Sequence, residues 1–172
     1  MDGRFAVLTL ALGAFDIHMS GCTETCLDRR PDDARLNLSI GQVYFRERKI
    51  GEEIYLRYDL PHADGPWQNI AGLSVTDQGS VWFGLGHAYR DQLWPDSHFY
   101  GEVHAMTGLY NQGQGIDLGW PIEFRSGFEL GYEWDSGWRA GIGFDHRSNL
   151  GFGDVNPGLE TLHFRVAAPI SK

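Results

Sequence analysis

The stretch Pro121-Ile122-Glu123-Phe124-Arg125-Ser126-Gly127-Phe128-Glu129-Leu130-Gly131-Tyr132-Glu133-Trp134 decides how the rest of the chain is read. Its even positions are Ile122, Phe124, Ser126, Phe128, Leu130, Tyr132 and Trp134, and its odd positions are Glu123, Arg125, Gly127, Glu129, Gly131 and Glu133. Successive side chains of a β-strand leave opposite faces of the sheet, so this period of two describes a strand with one greasy and one charged face. A helix would need apolar residues spaced by three and four, and that spacing is absent.

The same alternation extends in both directions. Ile54, Leu56, Tyr58 and Leu60 oppose Glu53, Tyr55, Arg57 and Asp59, while Val81, Phe83 and Leu85 oppose Trp82, Gly84 and Gly86. Eight strands are expected, over about 35–45, 53–60, 67–76, 81–90, 98–110, 121–134, 138–147 and 158–168. Breaks rich in Gly, Asp, Asn and Pro separate them, such as His62-Ala63-Asp64-Gly65-Pro66 and Asp135-Ser136-Gly137. A barrel follows from that many short strands in a single domain of 172 residues.

Period alone leaves open which face points inward, so a soluble lipocalin-like barrel with an apolar interior competes with a membrane barrel with an apolar exterior. Two features favour the membrane. The polar face mixes both charge signs with Gly72, Gly84, Gly86, Gly127, Gly131, Gly141 and Gly143, which suits a narrow lumen of small residues and ion pairs and would weaken a water-exposed face. Aromatics also gather near strand ends, among them Tyr44, Trp67, Tyr110, Trp120 and Trp138, as in interfacial girdles. The expected fold is therefore all-β, an eight-stranded antiparallel up-and-down transmembrane β-barrel over 35–172.

Composition removes other classes. A net charge of -9 with no clustered Lys/Arg surface argues against a nucleic-acid partner. No run of eighteen or more apolar residues supplies a helical membrane span. Residues 1–21, with Arg4 ahead of the apolar run Phe5 to Ala14, read as a secretory signal peptide in preference to a short buried helix. Residues 22–34 then form an N-terminal segment. Within it Cys22 and Cys26 could close a small disulfide, or Cys22 after Met19-Ser20-Gly21 could be an acylation site; an unremarkable pair in a flexible segment is the default. A zinc site lacks further cysteines, and the nearest histidine, His18, falls in the leader.

Chemistry enters on the last two strands. The parity of Trp138, Ala140, Ile142 and Phe144 continues into His146 and Ser148, and that of Leu162, Phe164 and Val166 places Glu160 with them. Three polar groups thus project from the wall expected to touch lipid, where an ionisable side chain costs up to about 2 to 4 kcal/mol. Each alone would be an ordinary interfacial residue. Together, on consecutive antiparallel strands, they can converge as a Ser-His-Glu triad. His87 also has outward parity but lacks a Ser or Cys at suitable spacing. His104, Glu102, Glu123, Arg125, Glu129, Asp145, Arg147 and Arg165 have lumenal parity and read as a buried polar network.

The stretch His146-Arg147-Ser148-Asn149-Leu150-Gly151, followed by Asn156-Pro157-Gly158-Leu159-Glu160, resembles the PagL-type lipid A 3-O-deacylases, outer-membrane barrels with a His-x-Ser-Asn motif and a later Glu. The resemblance implies His146 as general base, Ser148 as nucleophile, Glu160 as the group that orients the histidine, and Asn149, Leu150 and Gly151 as the surroundings of the oxyanion hole. It implies hydrolysis of a 3-hydroxyacyl ester of lipid A in lipopolysaccharide, in the bacterial outer membrane, with no metal or organic cofactor. Oligomeric state stays open, a homodimer included. With both termini in the periplasm, 147–157 forms a cell-surface loop level with the leaflet that holds lipopolysaccharide. The chain departs from common barrels in ending Ala168-Pro169-Ile170-Ser171-Lys172 without a terminal aromatic residue. The alternatives are a non-catalytic structural or adhesion barrel, and a soluble barrel holding an apolar ligand.

Overall fold

The computed structural model describes residues 4–170. Residues 1–3 of the expected leader and Ser171-Lys172 of the chain end lie outside the described residues. The elements are α1 (Arg4–Met19), β1 (Arg29–Pro31), β2 (Arg35–Phe45), β3 (Arg48–Asp64), β4 (Trp67–Thr76), β5 (Val81–Gln92), β6 (Phe99–Asn111), β7 (Ile122–Glu133), β8 (Arg139–Ser148) and β9 (Leu159–Pro169).

From β2 to β9 each strand pairs antiparallel with the next, and β2 pairs with β9, so the eight-stranded sheet closes on itself. Closure leaves no barrel edge for another chain to extend. One end of the barrel holds the start of β2 and the end of β9; the opposite end carries the connections 46–47, 77–80, 112–121 and 149–158 and is called the loop end below.

The two faces divide as the alternation predicts. Inside, Arg57 pairs with Asp59 and Glu102, Arg125 with Glu53 and Asp145, and Arg165 with Glu129. The Arg125 guanidinium lies 3.9 Å from the Tyr55 ring centroid, a cation–π arrangement in a dry site. Glycines make room for this filling: a Cβ on Gly72 would meet the Tyr55 ring, and one on Gly131 the Tyr100 ring. Val43, Tyr55, Trp82, Tyr110, Leu118 and Leu159 form an apolar cluster, into which Leu118 reaches from the 112–121 connection. Outside, Leu38, Ile40, Ile54, Leu85, Leu130, Ile142 and Phe164 are exposed, a belt of apolar surface far larger than a protein in water leaves uncovered.

Two features differ from expectation. The segment after the leader is ordered: Cys22 and Cys26 form a disulfide, and β1 adds to β3 with Arg29 opposite Asp64 and their side chains 3.2 Å apart. In addition, β3 is about twice as long as expected, beginning at Arg48 and running past Leu60 to Asp64, where Pro61 falls at the irregularity between Asp59 and Ala63 and its missing N–H costs no ladder bond.

Residues 4–19 form a helix that lies against the outside of the barrel. The Trp67 Nε1–H donates to the Thr9 carbonyl at 2.9 Å, and the Phe5 ring sits 5.4 Å from Phe128 and 6.3 Å from Phe144. Gly13 lets the helix close on Trp67, whose indole occupies the space a Cβ would need. No helix among the described residues is long and apolar enough to cross a membrane.

Candidate active site

The site begins on β8, whose inward residues hold the strand in place. Asp145 Oδ2 accepts from Arg125 Nε at 2.7 Å, and Arg147 reaches Glu53 and Ser74. These two anchors flank His146 in sequence, so the backbone beneath the outward-pointing imidazole is pinned from the lumen on both sides.

The register of β8 against β9 sets His146 directly opposite Glu160, and the imidazole Nδ1 lies 3.3 Å from Glu160 Oε1. Continued sideways, the pairing gives a row across four strands: Tyr44, Glu160, His146 and Ser126. Ser148 is two residues along from His146 on the same face and pairs with Phe124. All three expected triad residues therefore occupy the outer wall near the loop end. His146 is 4% exposed and Ser148 2%, whereas Ile142, of the same parity, is 61% exposed.

After Ser148 the chain turns sharply. Leu150 and Gly151 both take positive φ, 56° and 82°, and the Phe152 N–H donates to the Asn149 carbonyl at 3.1 Å. A non-glycine residue in that region carries strain that the surroundings must hold. Asn149 does the holding. Its buried side-chain amide donates to the Leu118 carbonyl at 2.8 Å and the Val155 carbonyl at 2.7 Å, and its Oδ1 accepts the Gly151 N–H at 2.8 Å. The tilted rings of Trp120 and Phe152 meet with centroids 5.8 Å apart, so the 112–121 connection braces the loop that follows Ser148. Gly158, at φ 69°, brings the chain back beside His146, where a Cβ would lie 2.9 Å from the imidazole Cε1.

Two hollows flank the row. One, of about 570 Å³, is lined by Ser148, Leu150, Phe124, Ser126 and Thr107, with Ala6 of α1 at its side. The other, of about 410 Å³, is lined by Tyr44, Arg46, Phe144, Pro157, Glu160 and Leu162. Sequence reasoning missed Tyr44, Ser126 and the bracing residues Leu118 and Trp120, whose involvement depends on pairings between distant parts of the chain. Gly158 offered a local signal, as a glycine just before the strand that bears Glu160.

A family model described as Lipid A 3-O-deacylase (PagL) matches residues 52–169, a span that takes in His146, Ser148 and Glu160. The chain belongs to the PagL family. It is accordingly an outer-membrane lipid A deacylase, an ester hydrolase built on a β-barrel. Among solved structures, that of the outer membrane enzyme PagL has a TM-score of 0.63 at 18% identity, covering 79% of this chain and 99% of that one. A de novo designed transmembrane β-barrel follows at 0.57 and 10% identity, covering 82% and 98%, and Neisserial surface protein A at 0.52 and 8%, covering 78% and 94%. At these identities the likenesses speak to the fold. No curated protein matches the chain. The PagL match begins within β3, so α1, β1 and β2 lie outside it.

Proposed function

We propose that Ser148, His146 and Glu160 act as a catalytic triad that hydrolyses the ester at the 3-O position of lipid A and releases a 3-hydroxyacyl chain. The observation that carries this reading is the cross-strand His146–Glu160 pair on an outer wall that is otherwise apolar, with Ser148 two residues away on the same face. Glu160 accepts from Nδ1–H and so orients the ring; proton transfer from Ser148 then runs through Nε2. The serine oxygen attacks the ester carbonyl, the sugar hydroxyl leaves with the proton returned by His146, and water cleaves the acyl-serine by the same route.

The strained turn supplies the oxyanion site. With the Asn149 amide committed to Leu118 and Val155 and the Gly151 N–H to Asn149 Oδ1, the Leu150 N–H is the donor we assign to the developing charge. Such a donor contributes about 10² to 10³ in rate. With the termini in the periplasm, the apolar belt lies in the bilayer and the row of Glu160 and His146 stands at its outer boundary, where the ester of a lipid A molecule meets its sugar.

The test is mass spectrometry of lipid A from cells expressing the chain or its Ser148→Ala variant. Lipid A lacking one 3-hydroxyacyl chain is expected with the unaltered protein and fully acylated lipid A with the variant. Equal acylation in the two strains would sink the triad.

A further inference from the structure

Charge is distributed unevenly over the loop end. The connections 77–80, 112–121 and 149–158 contain no Lys or Arg and one aspartate each: Asp77, Asp117 and Asp154. The remaining one, the hairpin between β2 and β3, carries Arg46, Arg48 and Lys49 around Glu47. With Glu47 between the arginines and Lys49 paired to Glu52, this is a small net-positive spot in a chain of net charge -9. It adjoins the proposed site, because β2 pairs with β9 and Tyr44 stands opposite Glu160.

The turn itself is costly. Arg46 and Glu47 both adopt positive φ, 48° and 67°, in a two-residue hairpin where asparagine and glycine are the easy choices. Strain of this kind persists where something other than local stability holds the residue. Lys49 pairs with Glu52 at 3.0 Å, while Arg46 rests over the Phe45 ring at 5.1 Å. Among the described residues neither Arg46 nor Arg48 forms an ion pair. Arg46 and Glu47 border the hollow of about 410 Å³, together with Tyr44, Pro157, Glu160, Phe144 and Leu162, and Arg48 stands across the hairpin from Phe45. The Arg46 cation, the apolar Phe144 and Leu162 and the Glu160–His146 pair together have the polarity of a phosphorylated glycolipid, with Glu47 the opposing charge beside the cation.

We propose that Arg46 and Arg48 bind a phosphate on the lipid A headgroup and thereby set its sugar ring over Glu160, His146 and Ser148, an assignment that rests on the catalytic reading above. Arg46 follows Tyr44 of the Tyr44–Glu160–His146 row by two residues, in the turn just past the end of β2, and so stands within about 7 Å of that row. Guanidinium groups suit the task because their fork of donors matches phosphate oxygens in pairs.

The experiment compares phosphorylated lipid A with enzymatically dephosphorylated lipid A in the same detergent micelles, using the unaltered chain and the double variant Arg46→Ala, Arg48→Ala. Heat-dependent gel migration serves as the folding control. The unaltered chain should favour the phosphorylated lipid by about 10-fold in kcat/KM, mostly through KM, and the double variant should treat the two alike. Equal use of both lipids by the unaltered chain, or an undiminished preference in the variant, overturns the assignment. Equilibrium binding of both lipids to Ser148→Ala, with and without the arginine substitutions, separates the two readings: a Ser148→Ala protein that still deacylates refutes the triad, while the binding ratio judges the phosphate site by itself. Phosphatidylglycerol is added as competitor. If it displaces phosphorylated lipid A as well as more lipid A does, the arginines form a general anion patch and the substrate assignment falls.

Discussion

Glu160→Gln keeps the shape of the group facing His146 Nδ1 but offers an amide where the ring needs a negative acceptor. Loss of the equivalent carboxylate charge in serine hydrolases lowers kcat by about 10⁴, and the 3.3 Å separation and 29% exposure of Glu160 point to a smaller value here, about 10² to 10³. KM should hardly move. Release of 3-hydroxy fatty acid from detergent-solubilised lipid A measures both, and an unchanged kcat would remove Glu160 from the mechanism. The placement of these residues was legible because polar groups on a greasy strand face break a simple alternation. The work of Asn149 was not: its amide serves Leu118, 31 residues earlier, and no local pattern announces a hydrogen bond between two surface loops. The motif resemblance implies a place for Asn149 at the oxyanion hole; in the structure its side chain bonds Leu118, Val155 and Gly151 and so holds the turn at Leu150.

Strands of ten residues or more display their period, and the barrel strands agree with the expected bounds to within two residues except β3, which extends five residues earlier and four later. Three-residue β1 shows no alternation and owes its existence to Arg29 and Arg30 meeting Asp64 and the Gly65 carbonyl, so nothing in its own sequence predicts it. The helix α1 reads in sequence as an export signal in preference to a short buried helix, and neither reading places it on the outer wall. It contributes no side chain to the lumen and is attached to the wall through Trp67, Phe128 and Phe144. A chain lacking residues 1–21 should therefore still fold in detergent and show the heat-dependent shift in gel migration of an intact barrel. Failure to fold would make the helix an integral layer of the structure.

Across the whole molecule, stability is concentrated in the lumen. Glu53 meets both Arg125 and Arg147, all three buried, and Glu53→Gln leaves Arg147 without its carboxylate and Arg125 with Asp145 alone. Breaking one partner of a buried ion pair costs about 3 to 5 kcal/mol. Urea unfolding in detergent should register a loss of that order, and a loss below about 1 kcal/mol would mean that water already screens the network. The global architecture was legible from patterning and glycine placement, while the pairing partners inside were not, since parity names the face of a residue and not its neighbour. The filled lumen has a further consequence. Ion pairs, rings and Leu118 occupy the bore, so on the proposed reading a substrate lipid approaches Ser148 from the surrounding leaflet and not through the lumen. Encounter is then a two-dimensional search, paced by how freely the surrounding lipids flow.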